Sequence, residues 1–107
     1  FKAYRVNACS QLDLDVDGYD FPMQFWVQAA AAGLRVREIP IRLIYNDPSR
    51  SFGGPLNDPE TRLAQYRETM HRELLRCADR LPASAFDGLT RASCAAATPS
   101  ACRCSKV

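Results

Sequence analysis

Apolar residues recur at steps of three and four in two parts of the chain, and this spacing predicts two helices. The first covers residues 22–32, and Gly33 is placed to end it. The second begins at Asp58, a capping residue followed by proline, and continues to Leu81. The apolar stripe of the first helix comprises Met23, Trp26, Val27 and Ala30. The stripe of the second comprises Leu63, Tyr66, Met70, Leu74, Cys77 and Leu81.

Between these helices the pattern changes to alternation. Ile39, Ile41, Leu43 and Tyr45 fall on one face of an extended chain, which predicts a strand over residues 34–45. Pro40 interrupts it and indicates a bulge or a free edge. A strand between two helices favours an α/β fold with an incomplete sheet and two main helices.

Length and charge limit the class of protein. The chain has 107 residues, so it is one small domain or a piece of a larger one, and its start at Phe1 favours a piece. The tail 82–107 holds one acidic and three basic residues. The chain's 14 basic and 12 acidic residues therefore leave 11 of each in the predicted domain 1–81. A neutral body without a basic stripe argues against a nucleic-acid partner.

The tail and the cysteines differ from the body in kind. Residues 82–107 are mostly Ala, Ser, Thr and Cys, a low-complexity composition that predicts a disordered tail or a frameshifted reading. Five scattered cysteines indicate reduced thiols and a cytoplasmic location rather than a disulfide framework. No run approaches the roughly 18 apolar residues of a membrane span.

The acidic loop is a candidate cation site. Asp13, Asp15, Asp17 and Gly18 match the first half of a helix–loop–helix calcium loop, but Gln24 stands where that loop needs a bidentate carboxylate. The alternatives are therefore a calcium-binding or interaction module using residues 13–24, or an acidic turn that precedes the next helix.

Two basic clusters are candidate anion sites. Arg50 and Ser51 follow the predicted strand in a loop with two glycines, and Lys2 and Arg5 lie near the start of the chain. The arginine fork suits phosphate geometry, and glycines allow close approach of backbone to a ligand. Solvent-exposed cations are the simpler alternative for each cluster.

Four motifs, FKAYR, GYDFPMQ, GLRVREIPIRLIY and RSFGG, occur in an order that resembles the carboxyl half of family 2 glycosyltransferases of the dolichyl-phosphate mannosyltransferase type. The resemblance covers about residues 1–81 and implies the carboxyl-terminal part of an A-type (nucleotide-diphospho-sugar transferase) fold. It implies transfer of mannose or glucose from a nucleotide-sugar donor to a polyprenyl-phosphate or other acceptor. Such an enzyme would belong to bacterial cell-envelope glycan synthesis, in the cytoplasm or peripheral at the inner face of the membrane.

The resemblance also implies roles for individual residues. A divalent metal, Mg or Mn, is expected in the full-length enzyme, held by residues outside this chain, and the 107 residues alone are expected to be inactive. A third alternative is a non-functional truncation product. The loop RSFGG lacks the lysine that many relatives carry there. The implied phosphate- and substrate-binding residues are Arg50, Ser51, Lys2 and Arg5, and the implied acceptor-side residues are Gly18 and Tyr19.

Overall fold

The computed structural model describes residues 2–87, which form helices and connecting segments. The second and third helices along the chain pack against each other, and the first helix is a single turn. The elements are α1 (Val6–Cys9), α2 (Phe21–Ala31), a 3₁₀ turn (Gly54–Asn57), α3 (Pro59–Arg76) and a second 3₁₀ turn (Ala83–Phe86).

The carboxyl end of α2 is set by glycine, as its sequence predicts. Gly33 has φ of 67°, the left-handed conformation that glycine adopts without steric cost. The Leu34 amide donates to the Ala29 carbonyl at 2.9 Å, and the Gly33 amide donates to Ala30 at 3.1 Å. This pair of bonds is a Schellman motif, which satisfies carbonyls that the helix end leaves free.

The amino end of α3 is also the one that the sequence predicts. The Asp58 carboxylate accepts from the Thr61 amide at 2.8 Å and from the Thr61 hydroxyl at 2.5 Å. These two bonds lower the pKa of Asp58 below its usual value, because they stabilise the charged form. Pro59 occupies the first helical position. The helix ends at Arg76, short of the predicted end at Leu81.

The packed faces of α2 and α3 are less apolar than predicted. Val27, Leu74 and Cys77 form the buried apolar cluster, and Ala31, Leu81, Ala85 and Phe86 pack around it. Trp26 and Leu63, which the helical stripes predict to be internal, are exposed. Polar residues fill the remaining interface: Asp20, Gln24, Gln28, Thr69, His71 and Glu73 are all buried.

The predicted α/β fold is wrong. Residues 2–87 contain no strand, and the stretch 34–45 runs without regular structure and is exposed from position 35 onward. A strand forms only when a neighbour satisfies its backbone groups, and no second β-favouring stretch lies beside this one in the described chain. The part of the protein that the structure describes is helical.

Two further sequence predictions concern membrane-spanning segments and the low-complexity tail 82–107. Within residues 2–87, no helix combines the length and the apolar character that crossing a bilayer requires. The predicted tail begins at residue 82, and its first residues form the 3₁₀ turn that places Phe86 against the apolar cluster. Residues 88–107, to which the prediction of disorder mainly applies, lie outside the described residues.

Candidate functional site

The first motif, FKAYR, lies against α2. The Tyr4 ring is 4.7 Å from the buried Phe25 ring, measured between centroids. The Lys2 ammonium lies 5.4 Å from the centroid of the Trp26 ring, within the range of a cation–π contact. Two aromatic residues of α2 therefore position the segment that carries Lys2 and Arg5.

The fourth motif, RSFGG, contacts the second motif at Tyr19, two residues before the start of α2. The Tyr19 and Phe52 rings lie edge to face with centroids 5.3 Å apart. The Arg62 guanidinium covers the Phe52 ring at 4.1 Å and donates from Nη1 to the Leu56 carbonyl at 2.8 Å. The Phe52 side chain is thus held between a tyrosine and an arginine, and this contact joins loop 50–54 to the start of α2.

The predicted phosphate-binding residues lie on the surface but are not assembled into one cluster. Lys2, Arg5, Arg50 and Ser51 are exposed, and none of the three cations forms an ion pair with a carboxylate within residues 2–87. The Arg50 amide closes a turn on the Asp47 carbonyl at 3.5 Å. No hydrogen bond, ion pair or ring contact within residues 2–87 joins Arg50 to Lys2 or Arg5, so their joint action on one phosphate remains a prediction.

The predicted acceptor-side residue Gly18 has a clear structural role. A Cβ atom at position 18 would lie 2.7 Å from Oδ1 of Asp20, closer than a real Cβ contact. That Asp20 oxygen accepts from Gln65 Nε2 at 3.0 Å, and the second oxygen accepts from the Thr69 hydroxyl at 2.6 Å. Gly18 therefore lets the Asp20 carboxylate turn back and join α2 to α3, with Tyr19 exposed beside it.

Sequence reasoning missed a buried polar network centred on Glu73. Its Oε1 accepts from Gln24 Nε2 at 2.9 Å, and its Oε2 accepts from Gln28 Nε2 at 2.9 Å. The exposed guanidinium of Arg72 lies 3.4 Å from Oε1. Glu73 lies outside the apolar stripe of α3, next to Leu74. A charged residue at such a position is expected to be solvated, so the sequence pattern did not indicate its burial.

The same glutamines hold the acidic loop. Gln24 Oε1 accepts from the amides of Asp15 and Val16, both at 3.0 Å, and Gln24 Nε2 donates to Asp15 Oδ1 at 2.5 Å. Gln28 binds the Asp13 backbone through both of its amide atoms, at 2.8 and 2.7 Å. Each glutamine side chain of α2 thus holds the acidic loop in place through hydrogen bonds to its backbone.

Charge in the acidic loop is balanced by α3. The Arg76 guanidinium forms an ion pair with Asp13 and lies 3.9 Å from Asp15. The hydrogen bond from Gln24 is the main cause that lowers the pKa of Asp15. Loss of solvent around the carboxylate opposes it, and the guanidinium groups of Arg76 and Arg72 lower the pKa further.

These contacts bear on the two expected cations, calcium and the divalent metal of the transferase. The carboxylates of Asp13 and Asp15 both face the guanidinium of Arg76. The described residues hold no group of three or more metal-ligating side chains in a suitable arrangement. Residues 2–87 therefore do not fit a calcium site of the predicted kind. The divalent metal of the transferase, whose ligands are expected outside this chain, stays a prediction.

Comparison with known proteins identifies no relative of this chain. No family model matches this chain, and neither a curated protein nor a solved structure matches it. The family resemblance therefore rests on the four motifs alone.

Proposed function

We propose that this chain contributes the acceptor-side residues of a sugar-transfer enzyme of the family 2 glycosyltransferase kind. The observation that supports the proposal is that FKAYR contacts α2 and that RSFGG contacts Tyr19, two residues before α2. Tyr4 and Lys2 of FKAYR contact Phe25 and Trp26, and Tyr19 of GYDFPMQ contacts the loop RSFGG. Three motifs that are separated in the sequence therefore lie close to the first half of α2.

The proposed acceptor is a polyprenyl phosphate, bound by cations and aromatic rings. Lys2, Arg5 and Arg50 are exposed and unpaired with carboxylates within the described residues, so a phosphate would not have to displace a carboxylate from any of them. Tyr19 and Phe52 present ring surface next to the loop that carries Arg50. An acceptor phosphate is already an anion, so its attack on a nucleotide-sugar needs positioning and cations more than a strong base.

Vesicle binding by the full chain tests the proposal. Neutral phosphatidylcholine vesicles that contain a polyprenyl phosphate should retain the chain, and vesicles with the matching polyprenol should not. Arg50→Ala should weaken binding about tenfold, the loss expected for one charge-assisted contact. Arg67→Ala is the matched control, because Arg67 is an equally charged, exposed residue of α3 outside the four motifs.

Two results would contradict the proposal. Equal retention by phosphate and polyprenol vesicles would remove the phosphate from recognition, and equal losses for Arg50→Ala and Arg67→Ala would leave only general charge attraction. Turnover of a GDP- or UDP-sugar by the chain alone would contradict the separate expectation that these 107 residues are inactive without the donor-binding part.

A further inference from the structure

Residues 35–45 form an exposed segment that combines apolar side chains with unused backbone groups. Ile39 and Tyr45 are each 74% exposed, and every residue of the segment is exposed. From position 35 to position 48, no backbone amide donates a hydrogen bond to another described residue. Such a segment is a template for strand pairing with another chain.

Charge selects a second copy of the same segment as the partner. In an antiparallel pair centred on Pro40, Glu38 of each copy lies opposite Arg42 of the other, so two ion pairs form. The same register places Ile39 opposite Ile41. If one strand is shifted by two residues in either direction, Glu38 lies opposite an uncharged residue. A parallel, in-register pair faces each charge with its own kind, which is unfavourable.

Pro40 is compatible with this register and determines which opposed residues form hydrogen-bonded pairs. Pro40 has no N–H, so two opposed prolines require a non-hydrogen-bonded position, where the amide side points outward. Alternation then makes Ile39 and Ile41 a hydrogen-bonded pair, in which both residues have an N–H to donate. It also makes Glu38 and Arg42 a non-hydrogen-bonded pair, in which side chains approach most closely.

We propose that two copies of this chain associate through antiparallel pairing of residues 35–45 about Pro40. Side chains alternate across the ribbon, so one face carries Ile39, Ile41, Leu43 and Tyr45 from both copies, with Arg37 opposite Leu43 and Arg35 opposite Tyr45. A two-stranded ribbon is marginal in water, so the dimer is weak, with a dissociation constant on the order of 0.1 mM. This inference is independent of the sugar-transfer proposal, since it uses none of the phosphate-binding residues.

Charge reversal tests both the association and its register. Sedimentation equilibrium of the full chain in a reducing buffer should show a monomer–dimer equilibrium at concentrations up to about 0.5 mM. Glu38→Arg and Arg42→Glu should each weaken the dimer by about tenfold or more, because each places like charges opposite one another twice. The double variant Glu38→Arg/Arg42→Glu should restore wild-type association, because the two ion pairs form again with their signs exchanged.

Glu68→Arg is the control, since it makes the same charge change on an exposed position of α3 and should leave association unchanged. Helical circular dichroism should be equal in all variants, because residues 35–45 make no contact that holds the helices. A wild-type monomer at the highest concentration overturns the proposal. So does a double variant that stays as weak as the singles, or a control that weakens as much as they do.

Discussion

Glu73 shows how a single buried side chain ties three segments together. Its two carboxylate oxygens accept from Gln24 and Gln28, and the same glutamines bind the backbone at Asp13, Asp15 and Val16. Because Oε1 of Gln24 is committed to backbone amides, its NH₂ must face Glu73, and the orientation of each amide is fixed. A buried network of this kind stabilises the fold only when every member is satisfied.

Glu73→Gln is therefore expected to destabilise the protein although it preserves shape. One carboxylate oxygen becomes an NH₂ group that faces the NH₂ of Gln24 or Gln28, and one donor is left buried without an acceptor. The expected loss in the free energy of unfolding is about 1 to 3 kcal/mol, measured by urea denaturation.

Glu68→Gln provides the comparison, because Glu68 is an exposed carboxylate on the same helix. Its effect should stay within about 0.5 kcal/mol, as for most surface substitutions. Equal losses for the two variants would mean that the amide contacts of Glu73 carry no special weight.

On the scale of the element, the two helix ends with a capping signal follow the sequence, and the helix faces do not. Gly33 and Asp58 set the ends where local chemistry predicts them. The face is different, because Trp26 and Leu63 belong to the apolar stripes and yet are exposed. The interface instead buries Gln24 and Glu73, and a pattern that counts only apolar residues cannot find such a face.

The two leucines of α3 give a matched test of this assignment. Leu74 is 8% exposed in the apolar cluster, and Leu63, one of the same predicted stripe, is 46% exposed. Leu74→Ala should cost about 2 to 5 kcal/mol in the free energy of unfolding, since it leaves a cavity beside Val27 and Cys77. Leu63→Ala should cost much less. Thermal denaturation followed by circular dichroism measures both, and equal shifts in Tm would show that the whole stripe is packed.

On the scale of the whole molecule, a packed pair of helices carries a long exposed connection. The backbone of residues 35–48 donates no hydrogen bond within the described structure, while α3 is hydrogen-bonded along its length. Local stability follows the number of such contacts, so the connection should open to a protease before the helices do.

Limited trypsin digestion checks this expectation. At low protein concentration, the first cuts should fall after Arg35 and Arg42, which are exposed in the connection. Cleavage after Arg72 or Arg76 should come later, because both lie in α3 and lie within ion-pair distance of the buried Glu73. Mass spectrometry of early fragments identifies the order, and an initial cut inside α3 would contradict the packing described above.

The sequence alone determined where α2 ends and where α3 begins, because a cap depends on residues within a few positions of it. It also supplied the four motifs on which the transferase proposal rests. Tertiary structure decided which faces are buried, because the bonds from Gln24 and Gln28 to Glu73 join residues 49 and 45 positions apart. Tertiary structure also decided that residues 34–45 form no strand. Their alternation favours one, but only a neighbouring strand can satisfy its backbone groups.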